Sequence, residues 1–113
     1  MIVGVGIDLV ELDRIANSMK NPRFLRRILT EQEVCYCNSV SRVAGRWAAK
    51  EAIAKAVARK LSWQDVEVLP NANGEPQVKV REGLLPKNAT LRVSITHERT
   101  HAASVAILEI VSR

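Results

Sequence analysis

Apolar and polar positions alternate in several stretches of the chain, and each such stretch predicts a β-strand. Between Ile2 and Val10 the apolar side chains occupy every second position, while Gly4, Gly6 and Asp8 form the opposite face. Two glycines on one face of a strand mark close approach by a backbone or a ligand. The first strand therefore offers a bare face that ends in a carboxylate.

The second half of the chain predicts four more strands. They are Asp65–Leu69, Gln77–Val80, Leu91–Thr96 and Ala102–Val111. The first two flank Asn73-Gly74, a dipeptide preferred in tight hairpin turns. The last is almost continuously apolar, which predicts a central strand buried on both faces.

The region after the first strand follows helical spacing instead. Thr30 with Glu33 forms a capping-box arrangement that starts a helix, and an alanine-rich stretch favours a long central helix. The predicted helices are Glu11–Met19, Pro22–Leu29, one starting at Thr30, and a central helix from about Val43 to about Lys60. We predict an α+β fold with helices on one side of one antiparallel sheet.

The central helix presents two charged residues on one face. Glu51 and Lys55 lie about 40° apart around the axis, because successive helical residues advance by about 100°. Ile53 points about 160° away from both and is predicted to anchor the helix to the core. This face serves a functional site, or it holds an ordinary ion pair between residues one turn apart.

Composition limits the class of protein. The 113 residues suit one domain spanning 1–113, and 47% of them are hydrophobic. No apolar run approaches the roughly 20 residues of a membrane helix, and the N-terminus lacks the basic region of a secretory signal. A cytoplasmic protein is therefore expected. Cys35 and Cys37 have neither zinc-pair nor disulfide-framework spacing and are interpreted as free thiols on a helix.

Basic residues concentrate in the first quarter of a chain whose net charge is +5. They are Arg14, Lys20, Arg23, Arg26 and Arg27. A basic surface attracts nucleic acid, a membrane surface or an acidic protein. The only aromatic residues are two Trp, one Tyr and one Phe, which disfavours a platform that stacks bases. A non-catalytic basic domain that binds an acidic protein or nucleic acid is one functional hypothesis.

The stretch from His97 to His101 matches H-E-x-x-H, the zinc metalloprotease signature. That chemistry requires a helix, so that both histidines lie on one face. Here the flanking residues favour strands, and Glu109 is the only acidic residue beyond the motif. We interpret the match as coincidental.

A second hypothesis is a site for phosphoryl transfer that draws on three segments: Asp8, the pair Glu51 and Lys55, and His97. Two carboxylates from separate elements can hold one Mg²⁺, which keeps several waters and takes other ligands from phosphate oxygens. Lysine and histidine can bind phosphate or move a proton. For Asp8 alone, a cap on the helix that follows is the alternative.

Three motifs occur in order along nearly the whole chain. They are Gly6–Arg14 (G-x-D-x-x-x-x-x-R), Gly45–Ala56 (G-R-[FW]-A-x-K-E-A-x-x-K-A) and Ser94–His97 (S-[IL]-[ST]-H). In these motifs the sequence resembles the holo-[acyl-carrier-protein] synthases, the small 4'-phosphopantetheinyl transferases. The resemblance implies that family's α+β fold, with an antiparallel sheet packed against a long central helix and shorter N-terminal helices.

The resemblance also implies an activity: Mg²⁺-dependent transfer of 4'-phosphopantetheine from coenzyme A to a serine of apo acyl carrier protein, releasing adenosine 3',5'-bisphosphate. It implies Asp8 and Glu51 as Mg²⁺ ligands and, with Lys55, as catalytic residues. It implies that Arg46, Lys55 and His97 bind coenzyme A. The implied carrier-protein surface is basic and comprises Arg14, Arg23, Arg26 and Arg27. Neither nucleic acid nor a membrane is an implied partner, and the family is typically a homotrimer with sites between subunits.

One segment departs from the family pattern. Members follow the central helix with a glycine-rich turn, whereas residues 56–62 here contain no glycine. Such a turn lets backbone N–H groups approach an anion closely. Either Arg59 and Lys60 substitute by side-chain charge, or the helix runs directly into the next strand.

Overall fold

The computed structural model describes residues 1–111 and has the predicted α+β architecture. Its elements, in chain order, are β1 (Ile2–Glu11), α1 (Leu12–Ser18), α2 (Pro22–Ile28), α3 (Glu31–Tyr36), α4 (Val40–Val57), a 3₁₀ turn (Trp63–Asp65), β2 (Val66–Pro70), β3 (Pro76–Val80), β4 (Ala89–His97) and β5 (His101–Ile110). The capping box of α3 is confirmed, since Thr30 and Glu33 exchange hydrogen bonds between side chain and backbone.

The strands form two antiparallel sheets, where the sequence predicted one. The larger sheet has the order β1-β5-β4, and β2 pairs only with β3. The connection between β2 and β3 contains the predicted Asn73-Gly74 turn, with Gly74 at φ 84°. A groove separates β3 from β4, so the two sheets do not merge.

The glycines of β1 allow α4 to lie directly on the strand. A Cβ atom at Gly4 would come within 1.9 Å of the Ala56 carbonyl oxygen, and one at Gly6 within 1.9 Å of the Ala52 oxygen. The close approach that the glycines predicted is therefore that of a backbone. At both glycine positions the helix backbone fills the bare face of the strand.

Helix α4 is buried along most of its length, and Ile53 is confirmed as a core anchor with no exposed surface. The helix begins and ends three residues earlier than predicted. At its start the Ser39 hydroxyl accepts a hydrogen bond from the Arg42 N–H. At its end Ala58 adopts the left-handed conformation, with φ 59° and ψ 36°. The chain thus turns after α4 and does not run directly into β2.

A buried ion pair joins five elements of the fold. Lys50 of α4 donates to Glu33 (2.6 Å) and to the carbonyls of Ile28 (2.8 Å) and Trp63 (2.9 Å). Glu33 also accepts from the backbone N–H of Val68 in β2 at 2.7 Å. Burial lowers the pKa of the Lys50 ammonium, while Glu33 acts in the opposite direction. Every strong donor and acceptor in this cluster has a partner, as buried charge requires.

Strand β5 is the central strand, as predicted, but only one of its faces is covered. Ala102, Ser104, Ala106 and Leu108 are buried beneath the helices, whereas the alternate positions are half-exposed. The outward face of neighbouring β1 is more open still, with Val5 61%, Ile7 67% and Leu9 66% exposed. Within one chain, burial of β5 on both faces is therefore wrong, because no element of residues 1–111 covers the outer face of the sheet.

Candidate active site

Asp8 and Lys55 meet at the edge of the larger sheet. The Lys55 ammonium lies 3.4 Å from Oδ1 of Asp8 and donates a 2.8 Å hydrogen bond to the Ile7 carbonyl. The Asp8 side chain is 15% exposed and that of Lys55 is 57% exposed. Asp8 does not cap α1, whose N-cap residue is Glu11. The helix-cap alternative for Asp8 is therefore wrong.

Glu51 belongs to the same neighbourhood by register. Gly4 lies on Ala56 and Gly6 on Ala52, so the next inward residue, Asp8, lies one turn of α4 further toward its N-terminus. This follows because two strand residues and four helix residues each advance by about 6–7 Å. Glu51 lies one turn before Lys55 on that face. Lys55 pairs with Asp8 among the described residues, so the ordinary ion pair between Glu51 and Lys55 is not the observed arrangement.

The two carboxylates suit a hard cation. The half-buried Glu51 carboxylate has no hydrogen-bond or ion-pair partner among residues 1–111. No cluster of three or more His, Cys, Asp or Glu side chains occurs in that range, so a cage made only of protein ligands is not present there. Two carboxylates that leave most positions to water and phosphate oxygens are the usual protein share of a Mg²⁺ site. The donor set at Asp8 and Glu51 therefore fits Mg²⁺.

A separate cleft of about 340 Å³ holds the other two predicted coenzyme-binding residues, Arg46 and His97. His97 is exposed at the end of β4. Arg46 is only 6% exposed, and its Nε donates to the Val68 carbonyl at 3.0 Å. The sequence reasoning missed three neighbours that line this cleft, Tyr36, Arg42 and Pro76. Arg42 lies one turn of α4 before Arg46, a spacing that the sequence contains, but the predicted helix began only at Val43. The proximity of Tyr36 and Pro76 depends on how α3 and β3 pack against α4.

The predicted site residues fall into two groups on opposite sides of α4. One group is Asp8, Glu51 and Lys55, and the other is Arg46 and His97. Arg46 points about 140° from Glu51 and about 180° from Lys55 around the helix axis. Asp8 lies on β1 and His97 on β4, which are the two edges of the β1-β5-β4 sheet. One chain therefore carries an acidic half-site and a cationic half-site that face away from each other.

The predicted carrier-protein residues are exposed on the N-terminal helices. They are Arg14 on α1 and Arg23, Arg26 and Arg27 on α2. Arg14 lies over the Trp47 ring, with 5.8 Å from its Cζ to the ring centroid. Trp47 in turn stacks between Phe24 and Trp63. Because Trp47 precedes Glu51 by one turn of α4, this aromatic stack connects the basic surface to the acidic half-site.

The metalloprotease interpretation is excluded by topology. His97 ends β4 and His101 begins β5, so the two histidines belong to the two strands of a hairpin and not to one helix. Between them, Glu98 accepts hydrogen bonds from Thr100 and His101, which lowers the pKa of its carboxyl group. The motif thus closes a β-turn. Cys35 and Cys37 are confirmed as free thiols, and burial raises the pKa of Cys37.

Comparison with known proteins identifies the family and the fold of this chain. A family model described as the 4'-phosphopantetheinyl transferase superfamily matches residues 4–107. The holo-[acyl-carrier-protein] synthase of Exiguobacterium sp. is 44% identical over 96% of this chain and 93% of its own length. That of Halalkalibacterium halodurans is 43% identical, over 99% of each protein. The crystal structure of a holo-(acyl-carrier-protein) synthase from Bacillus anthracis in complex with CoA (3',5'-ADP) has a TM-score of 0.87 at 35% identity, covering 98% of this chain and 99% of its own.

The fold is therefore that of an enzyme of the phosphopantetheinyl transferase class. The chain belongs to the holo-[acyl-carrier-protein] synthases of the 4'-phosphopantetheinyl transferase superfamily. This confirms the family that its three sequence motifs predicted.

Proposed function

We propose that the protein transfers 4'-phosphopantetheine from coenzyme A to a serine of apo acyl carrier protein and releases adenosine 3',5'-bisphosphate. In this reaction the serine oxygen forms a bond to the phosphorus that bears the pantetheine arm. The bond from that phosphorus to the oxygen of the adenosine 5'-phosphate breaks. The observation that carries the proposal is the acidic half-site at the edge strand β1, where Lys55 contacts Asp8 and Glu51 lies one turn of α4 before Lys55.

Asp8 and Glu51 would hold Mg²⁺, which would neutralise charge on the pyrophosphate of coenzyme A. Lys55 binds a phosphate oxygen from the same side, since its exposed ammonium is fixed only by Ile7 and Asp8. Arg46 and His97 bind the nucleotide end of coenzyme A in the cationic cleft. Phosphoryl transfer depends chiefly on such positioning and charge neutralisation.

A homotrimer reconciles the separated half-sites. If the acidic half-site of one subunit faces the cationic half-site of the next, each interface contains a complete site. The open apolar face of the sheet supports this assembly, because Val5, Ile7 and Leu9 would gain cover from other subunits. We propose that every site lies between two subunits. We also propose that residues 1–113 form a single domain in each subunit.

The carrier protein docks on the exposed arginines of α1 and α2, and it is acidic. No role for nucleic acid or a membrane surface is proposed. No helix within residues 1–111 is long and apolar enough to cross a membrane. Apo acyl carrier protein and coenzyme A are cytoplasmic substrates, and we place the enzyme with them.

The test is to incubate the protein with apo acyl carrier protein, coenzyme A and Mg²⁺ and to follow the intact mass of the carrier. We expect a mass gain of one phosphopantetheine group, lost on chelation with EDTA and restored by added Mg²⁺. Asp8→Asn and Glu51→Gln should each lower the rate by about 100-fold or more, since each removes a charge at the reacting phosphates.

Glu82→Gln is the matched control, because Glu82 is an exposed carboxylate in the loop after β3. Its rate should stay within about twofold of the original. A folded protein that leaves every carrier unmodified would refute the proposal. Binding of an acidic protein or nucleic acid that weakens steeply with salt, without transfer, would instead favour the non-catalytic hypothesis.

A further inference from the structure

Two arginines share one aromatic ring at the mouth of the cationic cleft. The Cζ atom of Arg42 lies 4.4 Å from the Tyr36 ring centroid, and that of Arg46 lies 4.7 Å from it. Arg42 also donates from Nη1 to the Tyr36 carbonyl at 3.1 Å. Stacking and hydrogen bonding restrict both guanidinium groups, so each has lost part of its side-chain freedom before any ligand arrives.

Most N–H groups of these guanidiniums have no protein acceptor among residues 1–111. Each of the two arginines donates one hydrogen bond, to a backbone carbonyl, and neither forms an ion pair in that range. A guanidinium has five donors. His97 lies in the same cleft, and no acidic side chain of the described chain lines it. The cleft therefore presents several unused donors and positive charge, which suits an anion with several oxygens.

The position of Arg42 is unfavourable for the helix itself. It lies in the first turn of α4, where the helix dipole favours negative charge and disfavours a cation. Residues whose type is unfavourable for the secondary structure around them tend to occur at functional sites. A bound phosphate would remove the conflict, because it would be stabilised both by Arg42 and by the positive end of the helix.

We propose that Arg42 binds the 3'-phosphate of coenzyme A together with Arg46, and that Tyr36 positions both guanidiniums for it. This inference rests on the proposed function, since it assigns part of the donor substrate to the cationic cleft. The 3'-phosphate is a monoester with three terminal oxygens, so two guanidiniums can each bind it through paired hydrogen bonds. Arg42 thus selects coenzyme A over its 3'-dephospho form.

The test compares coenzyme A with 3'-dephospho-coenzyme A as donor in steady-state transfer to apo acyl carrier protein. Arg42→Gln should raise KM for coenzyme A by about 10- to 100-fold, the range for loss of a charge-assisted phosphate contact, with kcat changed by less than about threefold. The same variant should leave KM for the dephospho donor unchanged within about twofold. The loss of preference between donors is the signature that a purely structural role would not produce.

Tyr36 is tested by a pair of substitutions. Tyr36→Phe keeps the ring that both guanidiniums contact, and the Tyr36 hydroxyl has no hydrogen-bond partner among residues 1–111, so this variant should retain the preference for coenzyme A over the dephospho donor. Tyr36→Leu removes the stacking surface and should raise KM for coenzyme A several-fold while affecting the dephospho donor less. Arg81→Gln is the control for removal of a positive charge, because Arg81 is an exposed arginine paired with Asp65 outside the cleft.

Direct binding of adenosine 3',5'-bisphosphate and adenosine 5'-monophosphate, measured by calorimetry, separates this inference from the proposed function. If transfer occurs but Arg42→Gln raises KM equally for both donors, or for neither donor, the assignment of Arg42 is wrong. If the protein binds the bisphosphate in preference to the monophosphate through Arg42 but transfers nothing, the proposed reaction fails and the phosphate assignment stands.

Discussion

Lys50 and Glu51 are neighbours in sequence, and their tertiary contacts give them different environments. Lys50 is 5% exposed and binds one carboxylate and two carbonyls, which fixes α4 against α2, α3 and the 3₁₀ turn. Glu51 is half-buried and free of hydrogen bonds from described side chains. At the scale of single residues, the Lys50 ammonium stabilises the fold, and the neighbouring Glu51 carboxylate remains available for chemistry.

Lys50→Met should destabilise the protein by about 3–5 kcal/mol, because it leaves the buried Glu33 carboxylate without its counter-charge. The measurement is urea unfolding at one fixed protein concentration, since association contributes to apparent stability. Lys87→Met, at an exposed loop position, should change the free energy of unfolding by less than about 0.5 kcal/mol. A loss below about 1 kcal/mol for Lys50→Met would show that Glu33 finds compensation without the pair.

Ala58 has the left-handed backbone that glycine adopts without strain. Ala58→Gly should therefore stabilise the protein by about 1 kcal/mol. The same substitution inside the helix, Ala54→Gly, should destabilise it by about 1 kcal/mol. Opposite signs in urea unfolding would confirm that the conformation of residue 58, and not the added flexibility, sets the effect.

Helix α4 and strand β1 are the pair of elements that builds the acidic half-site. Gly6 lets β1 lie directly against the backbone of α4 and so fixes the distance between the strand and the helix. At that distance Lys55 of α4 reaches Asp8 of β1. Beyond α4, Arg59 donates to the Leu84 carbonyl at 3.0 Å and so serves the fold. This one hydrogen bond leaves the other N–H donors of Arg59 without a partner among residues 1–111, so substitution of the glycine turn by side-chain charge stays a prediction.

Gly6→Ala should displace α4 from β1, because the added Cβ would meet the Ala52 carbonyl, which cannot rotate away. We expect a loss of about 3 kcal/mol or more in the free energy of unfolding and a large loss of transfer activity. Gly45→Ala is the matched control on the other side of the helix. Its Cβ would meet a methyl group of Ile95 at 3.0 Å, a side chain that can shift, so the effect should be much smaller. Equal effects would contradict the role given to β1.

At the scale of the whole molecule, the separation of the two half-sites and the uncovered face of the sheet both favour association of several subunits. The apolar outer faces of β1 and β5 lie beside each other, so association would cover one continuous surface. The acidic and cationic half-sites lie at opposite edges of that same sheet. Rotational symmetry can bring the β1 edge of one subunit against the β4 edge of its neighbour.

Mixing two inactive variants tests shared sites. Asp8→Asn damages the acidic half-site and His97→Ala the cationic one, and refolding an equimolar mixture should restore about one quarter of the original activity. That fraction follows because each site draws its two halves independently from two subunits of a symmetric ring. Ile7→Glu should abolish both association, measured by sedimentation, and transfer, while the circular dichroism of the subunit is retained. Failure of complementation by mixed oligomers would show that each site lies within one subunit.

The sequence by itself determined the elements and the family. Periodicity located the strands and helices to within a few residues, since side-chain spacing reports directly on which face is buried, and the three motifs carried enough specificity to identify the enzyme class. It also placed Glu51 and Lys55 on one face of α4, because angular offsets in a helix follow from residue number alone.

Only the tertiary structure decided how those residues are grouped. That the glycines of β1 receive the backbone of α4, that Lys55 pairs with Asp8, and that Pro76 and His97 join Arg46 in one cleft all depend on contacts between residues distant in sequence. The separation of the two half-sites has the same origin. Helix spacing orients Arg46 away from Glu51, but only the strand order β1-β5-β4 places their partners at opposite edges of the sheet, because pairing between strands is fixed by the packing of the whole chain.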